Sequence, residues 1–246
     1  MKSSSTESPG EPKTVPALGH AFLTPLYDAV MAVTMRERAF RAALLEQAAI
    51  GPDQYVLDLG CGTGTLAVMI GARRGGAHVT GLDADPEVIS IAERKALAAG
   101  VTIRFDRGLS TRLPYPDGSF DRVVSSLLFH HLPAKDKATT AAEARRVLRS
   151  GGEFHVVDWG RPANLLMGSL FVLVRLLDGF PNTRENVEGK LPSLFREAGF
   201  GEVLQTGSMS TLFGTLVFYR AFGATGSPAT PSRENRELGD KGGRPS

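Results

Sequence analysis

The chain has 246 residues, 42% of them hydrophobic and 22% charged, a balance that suits one globular domain, or at a stretch two small ones. Its 28 basic and 26 acidic residues leave a net charge of +2, too small a surplus to argue for nucleic-acid binding. Cys61 is the only cysteine, which excludes an internal disulfide and agrees with a reducing, cytoplasmic compartment. No run of about 18 apolar residues predicts a spanning helix, and the polar start of the chain lacks the apolar core of a signal peptide.

Residues 1–16 and 224–246 are rich in Ser, Pro, Gly and charge. Such segments bury too little surface to offset the entropy of ordering, so both read as disordered tails around a folded unit at 17–223. Within that unit, 36–49 reads as an amphipathic helix stopped by Gly51-Pro52. The apolar run 55–59 reads as a buried strand, 66–72 as a helix and 77–82 as a second strand. Asp85 before Pro86 fits an N-cap with proline at the first helical position, opening a helix to about Ala99 that stops at Gly100. Third and fourth strands are expected at 101–105 and 121–126, a helix at 135–148 ending in Gly151-Gly152, and a fifth strand at 153–157. Beyond an apolar stretch at 164–177 come a helix at 188–198 and strands at 202–206 and 212–222. The alternation predicts an α/β fold: a Rossmann-like, doubly wound, mostly parallel sheet with helices on both faces. Its crossovers should be right-handed.

The first strand runs into Asp58-Leu59-Gly60-Cys61-Gly62-Thr63-Gly64. Glycines at alternate positions permit positive φ and let the backbone approach a ligand. Ligands of open α/β sheets sit outside the carboxyl ends of the strands. A dinucleotide fingerprint starting at Gly60 would need Gly or Ala at position 65, where Thr65 stands, and no Walker Gly-Lys-Ser/Thr is present. Asp83 ends the second strand about 20 residues further on, where nucleotide folds place an acid for ribose hydroxyls. It reads either as that acid or as a helix-capping one. Asp58 reads as a carboxylate ordering the site or a turn.

The segment 56–64 resembles the first motif of class I methyltransferases that use S-adenosylmethionine (SAM). Leu113-Pro114-Tyr115-Pro116-Asp117-Gly118-Ser119-Phe120-Asp121, Leu148-Arg149-Ser150-Gly151-Gly152-Glu153-Phe154 and an early Tyr27-Asp28 resemble segments of the type 11 branch, which includes ubiquinone and menaquinone methyltransferases. The resemblance spans about 20–222. It implies a seven-stranded sheet with an antiparallel last strand, SAM as methyl donor and S-adenosylhomocysteine as product. It implies cofactor contacts from Tyr27, Asp58, Gly60, Cys61, Gly62, Gly64, Asp83, Ala84, Leu109, Ser110, Ser126 and Leu127. Related chains often show Gly-Asp-Ala after strand three, whose Asp bonds the adenine amino group; this chain has Gly108-Leu109-Ser110. A changed adenine contact is therefore expected, with Leu109 on the base face and backbone at Leu109 or Ser110 reading the base edge. Cys61 is expected to pack under the cofactor.

Methyl transfer needs alignment of a nucleophile and only sometimes a base. His130 and His131 follow strand four, and Asp158 follows strand five; each is a candidate base, with helix capping or a structural pocket as the alternative. Two adjacent histidines suggest metal, but no third ligand stands at a suitable spacing, so no metal is expected. The apolar stretch falls in a substrate-side insertion at 160–195. It reads as a core or interface helix, as a lid over a lipophilic small molecule, or as a peripheral membrane contact through 164–180. The oligomeric state is left open. A SAM-binding protein without catalysis and a phospholipid or amine N-methyltransferase are the alternative functions. An NAD-dependent oxidoreductase fits less well.

Overall fold

The computed structural model describes residues 36–161, 182–211 and 214–223. Tyr27, both tails and the apolar stretch 164–180 lie outside the described residues. The elements run α1 (Glu37–Ala48), β1 (Tyr55–Leu59), α2 (Thr65–Arg73), β2 (His78–Asp83), α3 (Pro86–Ala98), β3 (Arg104–Arg107) and β4 (Phe120–Ser126). A 3-10 turn (Phe129–His131) leads to α4 (Ala134–Val147), β5 (Leu148–Trp159), α5 (Arg184–Val187), α6 (Leu191–Glu197), β6 (Phe200–Ser210) and β7 (Thr215–Gly223).

The seven strands form one sheet in the order β3-β2-β1-β4-β5-β7-β6. The first five pair in parallel, while β7 runs antiparallel to both β5 and β6. This is the expected doubly wound architecture, with its switch point between β1 and β4. Alternate residues of each strand feed two cores. Val56, Val124, Val157 and Phe218 pack with Phe40 and Leu44 of α1 and with Ile70 of α2. Leu57, Leu59, Val123, Phe154 and Tyr219 pack on the other face with Ala144 of α4 and Phe195 of α6. Among the described residues, no helix is long and apolar enough to cross a membrane.

Local chemistry explains the boundaries. The Asp85 side chain accepts from the Glu87 amide at 2.8 Å, with Pro86 at the first helical position, as a proper N-cap for α3. Arg146 of α4 clamps the segment before β4: its guanidinium donates to Leu113 O, Tyr115 O and the Asp117 carboxylate at 2.7–3.1 Å. Arg149 holds Asp121 at 2.8 Å. Some elements differ in their bounds from the sequence reading. The third strand is Arg104–Arg107 rather than 101–105, and the helix expected at 188–198 is the shorter α6, Leu191–Glu197, preceded by Gly189, where φ is +72°. The fifth strand begins earlier, at Leu148.

Candidate active site

The carboxyl ends of β1 to β5 converge on one edge of the sheet. At β1 the chain turns through Gly60, Gly62 and Gly64, with φ of +70°, +51° and +72°. L-residues with a Cβ rarely adopt these values. The three glycines have different reasons. A Cβ at Gly60 would meet Leu128 Cδ1 at 2.8 Å, and one at Gly64 would meet Ala92 Cβ at 2.6 Å. At Gly62 nothing lies within 4 Å, so that backbone faces open space. Gly60 and Cys61 amides both donate to Leu82 O, at 2.9 and 3.0 Å, and the Gly62 amide donates to Asp83 Oδ2 at 2.9 Å. The turn is thereby stitched to the end of β2.

Asp83 is half-buried and also accepts from the Asp85 amide at 3.1 Å. Its role in local structure and its placement at the site therefore coexist. Cys61 is buried beneath the turn, its Sγ close to Gly81. Burial, and then the Asp58 and Asp83 charges, push its thiol well above the ordinary range, which disfavours the thiolate.

Asp58 lies on the strand face toward α1 and α2. It is 1% exposed and no side chain hydrogen-bonds its carboxylate. Burial raises its pKa to about 7, opposed by the charge of Arg41 and by a backbone hydrogen bond from Ala67. A buried carboxylate so sparsely satisfied is costly unless a further donor or cation arrives. Together with the open space at Gly62, it fits a ligand bearing an ammonium group.

Lys95, not singled out by the sequence reading, reaches from α3 under the turn. Its ammonium donates to Thr65 Oγ1 at 2.7 Å and to Thr63 Oγ1 at 3.0 Å, bracketing Gly64. Partial burial lowers its pKa. The available signal was its position beside the buried Ala92 and Ala96 of α3: a cation on an apolar stripe.

A cleft of about 310 Å³ opens beside the turn, lined by Gly60, Asp83, Ala84, Leu109, Leu128 and Asp136 among others. Gly108, Ser110 and Thr111 complete its β3 side. Leu109 is 55% exposed, an apolar side chain presented to the cleft. The Ser110 hydroxyl is engaged with Thr140 Oγ1 of α4 at 2.9 Å. A larger cleft of about 790 Å³ lies at the opposite edge, where Tyr55, His78, Arg104 and Phe120 begin their strands. Its arginines are already paired, Arg104 with Asp106 and Arg149 with Asp121. The amino ends of parallel strands are not where such sheets bind ligands.

After β4, Ser126 is half-buried and Leu127 takes φ +60° with its amide on Val157 O at 2.9 Å. This positive φ in a branched residue holds the chain in a sharp bend at the edge. The bend delivers the histidines. Asp158, fully buried at the end of β5, accepts from His130 Nδ1 at 2.8 Å, the Phe129 amide at 2.7 Å, the Trp159 amide at 2.7 Å and Asn186 Nδ2 at 3.1 Å. Both Asp158 oxygens are thereby engaged, tying His130 and the following turn to the end of β5. The Asp158 carboxylate thus orients the His130 ring through Nδ1. The His131 ring leans on His130, with centroids 3.9 Å apart and planes tilted by 42°.

The chain returning at Asn182 is pinned to this edge. The fully buried Lys137 of α4 donates to Glu185 Oε2 at 2.8 Å and to Asn182 O, and Asn182 Nδ2 donates to His131 O at 3.1 Å. These partners were not legible from spacing. Among the described residues, no group of three His, Cys, Asp or Glu is arranged as a metal site.

Comparison with known proteins follows this geometry. A methyltransferase-domain family matches residues 56–152, from β1 to the start of β5. A demethylmenaquinone methyltransferase of Deinococcus radiodurans is 34% identical over 155 residues, covering 62% of this chain and 64% of the relative. The chain thus spans slightly less than two thirds of that protein. An uncharacterized methyltransferase of Synechocystis is 34% identical over 164 residues, covering 67% of this chain and 74% of the relative. Among solved structures, a SAM-dependent methyltransferase of Methanosarcina mazei superimposes with a TM-score of 0.57 at 23% identity, covering 71% of this chain and 94% of that one; this likeness concerns the fold. The glycine turn, the acid after β2 and the strand order therefore belong to a known lineage: this chain is a member of the SAM-dependent methyltransferase family.

Proposed function

We propose that the protein transfers a methyl group from SAM to a small lipophilic acceptor. The observation that carries the reading is Asp58: a buried carboxylate with no side-chain hydrogen-bond partner, beside an open glycine backbone. It suits the ammonium of the methionine moiety. When bound, SAM supplies a methyl on a positively charged sulfur that leaves as a neutral thioether. Asp83 provides acceptor oxygens for a ribose diol, and Ala84 and the exposed Leu109 offer apolar surface for the base.

His130 is the candidate base of this reading. Asp158 holds its ring and sets its tautomer, so Nε2 can take the proton that an acceptor hydroxyl or amine loses as its bond to the methyl carbon forms. A quinol-type acceptor is favoured by the relative that is a demethylmenaquinone methyltransferase. A peripheral membrane contact through 164–180 and a cytoplasmic location accord with such an acceptor.

The test is a SAM-dependent activity screen across quinols, phospholipids and small amines, following S-adenosylhomocysteine release. Turnover of a quinol, with kcat reduced about 100-fold or more in His130→Gln at unchanged SAM affinity, supports the reading. Absence of SAM binding at millimolar concentration overturns it.

A further inference from the structure

At the β3 end of the cleft stands the exposed Leu109, where the resemblance in sequence implies an acid. One face of α4 covers the segment that follows. Thr140 bonds Ser110, Glu143 Oε2 accepts from the Leu113 amide at 2.7 Å, and Arg146 donates to Leu113 O at 3.1 Å. Residues four apart lie on one side of a helix, so Asp136 stands one turn before Thr140 on this same face. It lines the cleft together with Leu109, Ser110 and Thr111. Thr140, Glu143 and Arg146 are all engaged with the 110–117 segment. Asp136 has no hydrogen bond or ion pair among the described residues.

The cleft has a direction. Gly60 marks its β1 end, Asp83 and Ala84 its middle, and Gly108 to Thr111 its β3 end. A nucleoside whose ribose sits at Asp83 and whose methionine part sits at the glycine turn extends its base toward β3. We infer that the carboxylate of Asp136 accepts the exocyclic amino group of the adenine, taking the place of the acid missing at position 109. Leu109 then covers the base face while Asp136 reads its edge. The inference rests on the SAM reading above and assigns the residue that selects the base.

Asp136 also stands in the first turn of α4, where an acid favours the helix dipole. That role alone would move thermal stability and leave base selectivity unchanged. The deciding experiment compares S-adenosylhomocysteine with S-inosylhomocysteine, in which a carbonyl acceptor replaces the amino donor. Calorimetric titration is run on the wild type, Asp136→Ala and Asp136→Asn. The wild type is expected to prefer the adenosyl ligand by about 100-fold, because a carboxylate placed against the position-6 group loses its amino donor and meets the lone pairs of a carbonyl. Asp136→Ala should weaken adenosyl binding about tenfold or more and bring the two ligands within about threefold of each other. Asp136→Asn, whose amide can donate to the carbonyl, should bind the inosyl ligand at least tenfold better than the wild type does. If the wild type binds S-adenosylhomocysteine and both variants keep its preference, the assignment of Asp136 is overturned while the SAM reading stands. If the wild type binds neither ligand, both are overturned. Asp136→Asn differs from the native side chain by one atom type at a half-buried surface site, so it keeps the test available should Asp136→Ala unfold.

Discussion

The Gly62 amide donates to the Asp83 carboxylate at 2.9 Å, so the turn after β1 and the acid after β2 are one hydrogen-bonded unit. A change at Asp83 should therefore act twice, on ligand contact and on turn shape. Asp83→Ala is expected to weaken SAM binding about 100-fold, and Asp83→Asn, which keeps one acceptor oxygen, about tenfold. Isothermal titration checks this. Equal losses in the two variants would show that the turn bond carries nothing.

Gly62 and Gly64 make opposite predictions although both have positive φ. Gly64→Ala drives a Cβ to 2.6 Å from Ala92 Cβ, and overpacking with a strained backbone should cost about 2–4 kcal/mol of stability. Gly62→Ala meets open space and should cost only about 1 kcal/mol. Its methyl projects where a ligand would approach, so SAM affinity should fall more than stability does. Denaturant unfolding and titration, run side by side, separate the two.

Asp58 predicts a particular pH dependence. Its pKa is about 7 in the folded chain against 3.8 for an ordinary aspartate carboxyl. Between these values the unfolded chain releases a proton that the folded chain keeps. Rising pH therefore destabilises the ligand-free protein from about pH 4 to 7, by on the order of 4 kcal/mol at most, and no further above 7. Asp58→Asn should flatten that slope and raise Tm at pH 8 while impairing SAM binding. In the wild type, SAM affinity should rise with pH up to about 7 as the carboxylate ionises to meet an ammonium. A melting profile that stays flat from pH 4 to 7 would refute the assignment.

Lys95→Met removes the ammonium that joins Thr63 to Thr65. The hydroxyls can turn to other partners, so stability should fall by only about 1–2 kcal/mol. The turn loses its prop, and SAM binding should weaken by about three- to tenfold. Thermal melts with and without ligand check both numbers; a variant as stable and as tight-binding as the wild type would remove Lys95 from the site.

The parts of this molecule legible in its sequence are those governed by local rules. The period of apolar residues set most strands and helices, and Asp85-Pro86 marked the start of α3 through chemistry confined to three residues. The glycine turn was legible because only glycine tolerates three positive φ values in five positions. The third strand was misplaced for a physical reason. The apolar Val101 and Ile103 pack toward Gly71 of α2, whereas the residues that pair with β2 are Arg104, Phe105, Asp106 and Arg107. Hydrophobicity followed the packing and missed the pairing. The helix expected at 188–198 starts only at Leu191, because Gly189 takes a positive φ and Pro192 suits the first turn that follows it.

The site was only partly legible for a related reason. Asp158 and His130 are 28 residues apart, Lys95 and Thr63 are 32 apart, and Ser110 and Thr140 are 30 apart. Spacing along the chain carries no trace of such pairings, since the sheet alone brings them together. Sequence could name Asp158 as polar at a strand end. It could not tell that four donors already occupy the carboxylate.

The strand order also bears on how the chain is made. β7 lies between β5 and β6, yet it is the last strand to leave the ribosome. Until it emerges, β5 presents an unpaired edge along its buried, apolar half from Phe154 to Trp159. Such an edge is a template for another chain. Synthesis is therefore most exposed to aggregation between completion of β5 and arrival of Thr215–Gly223, an interval in which the nucleotide-binding half can already be assembled.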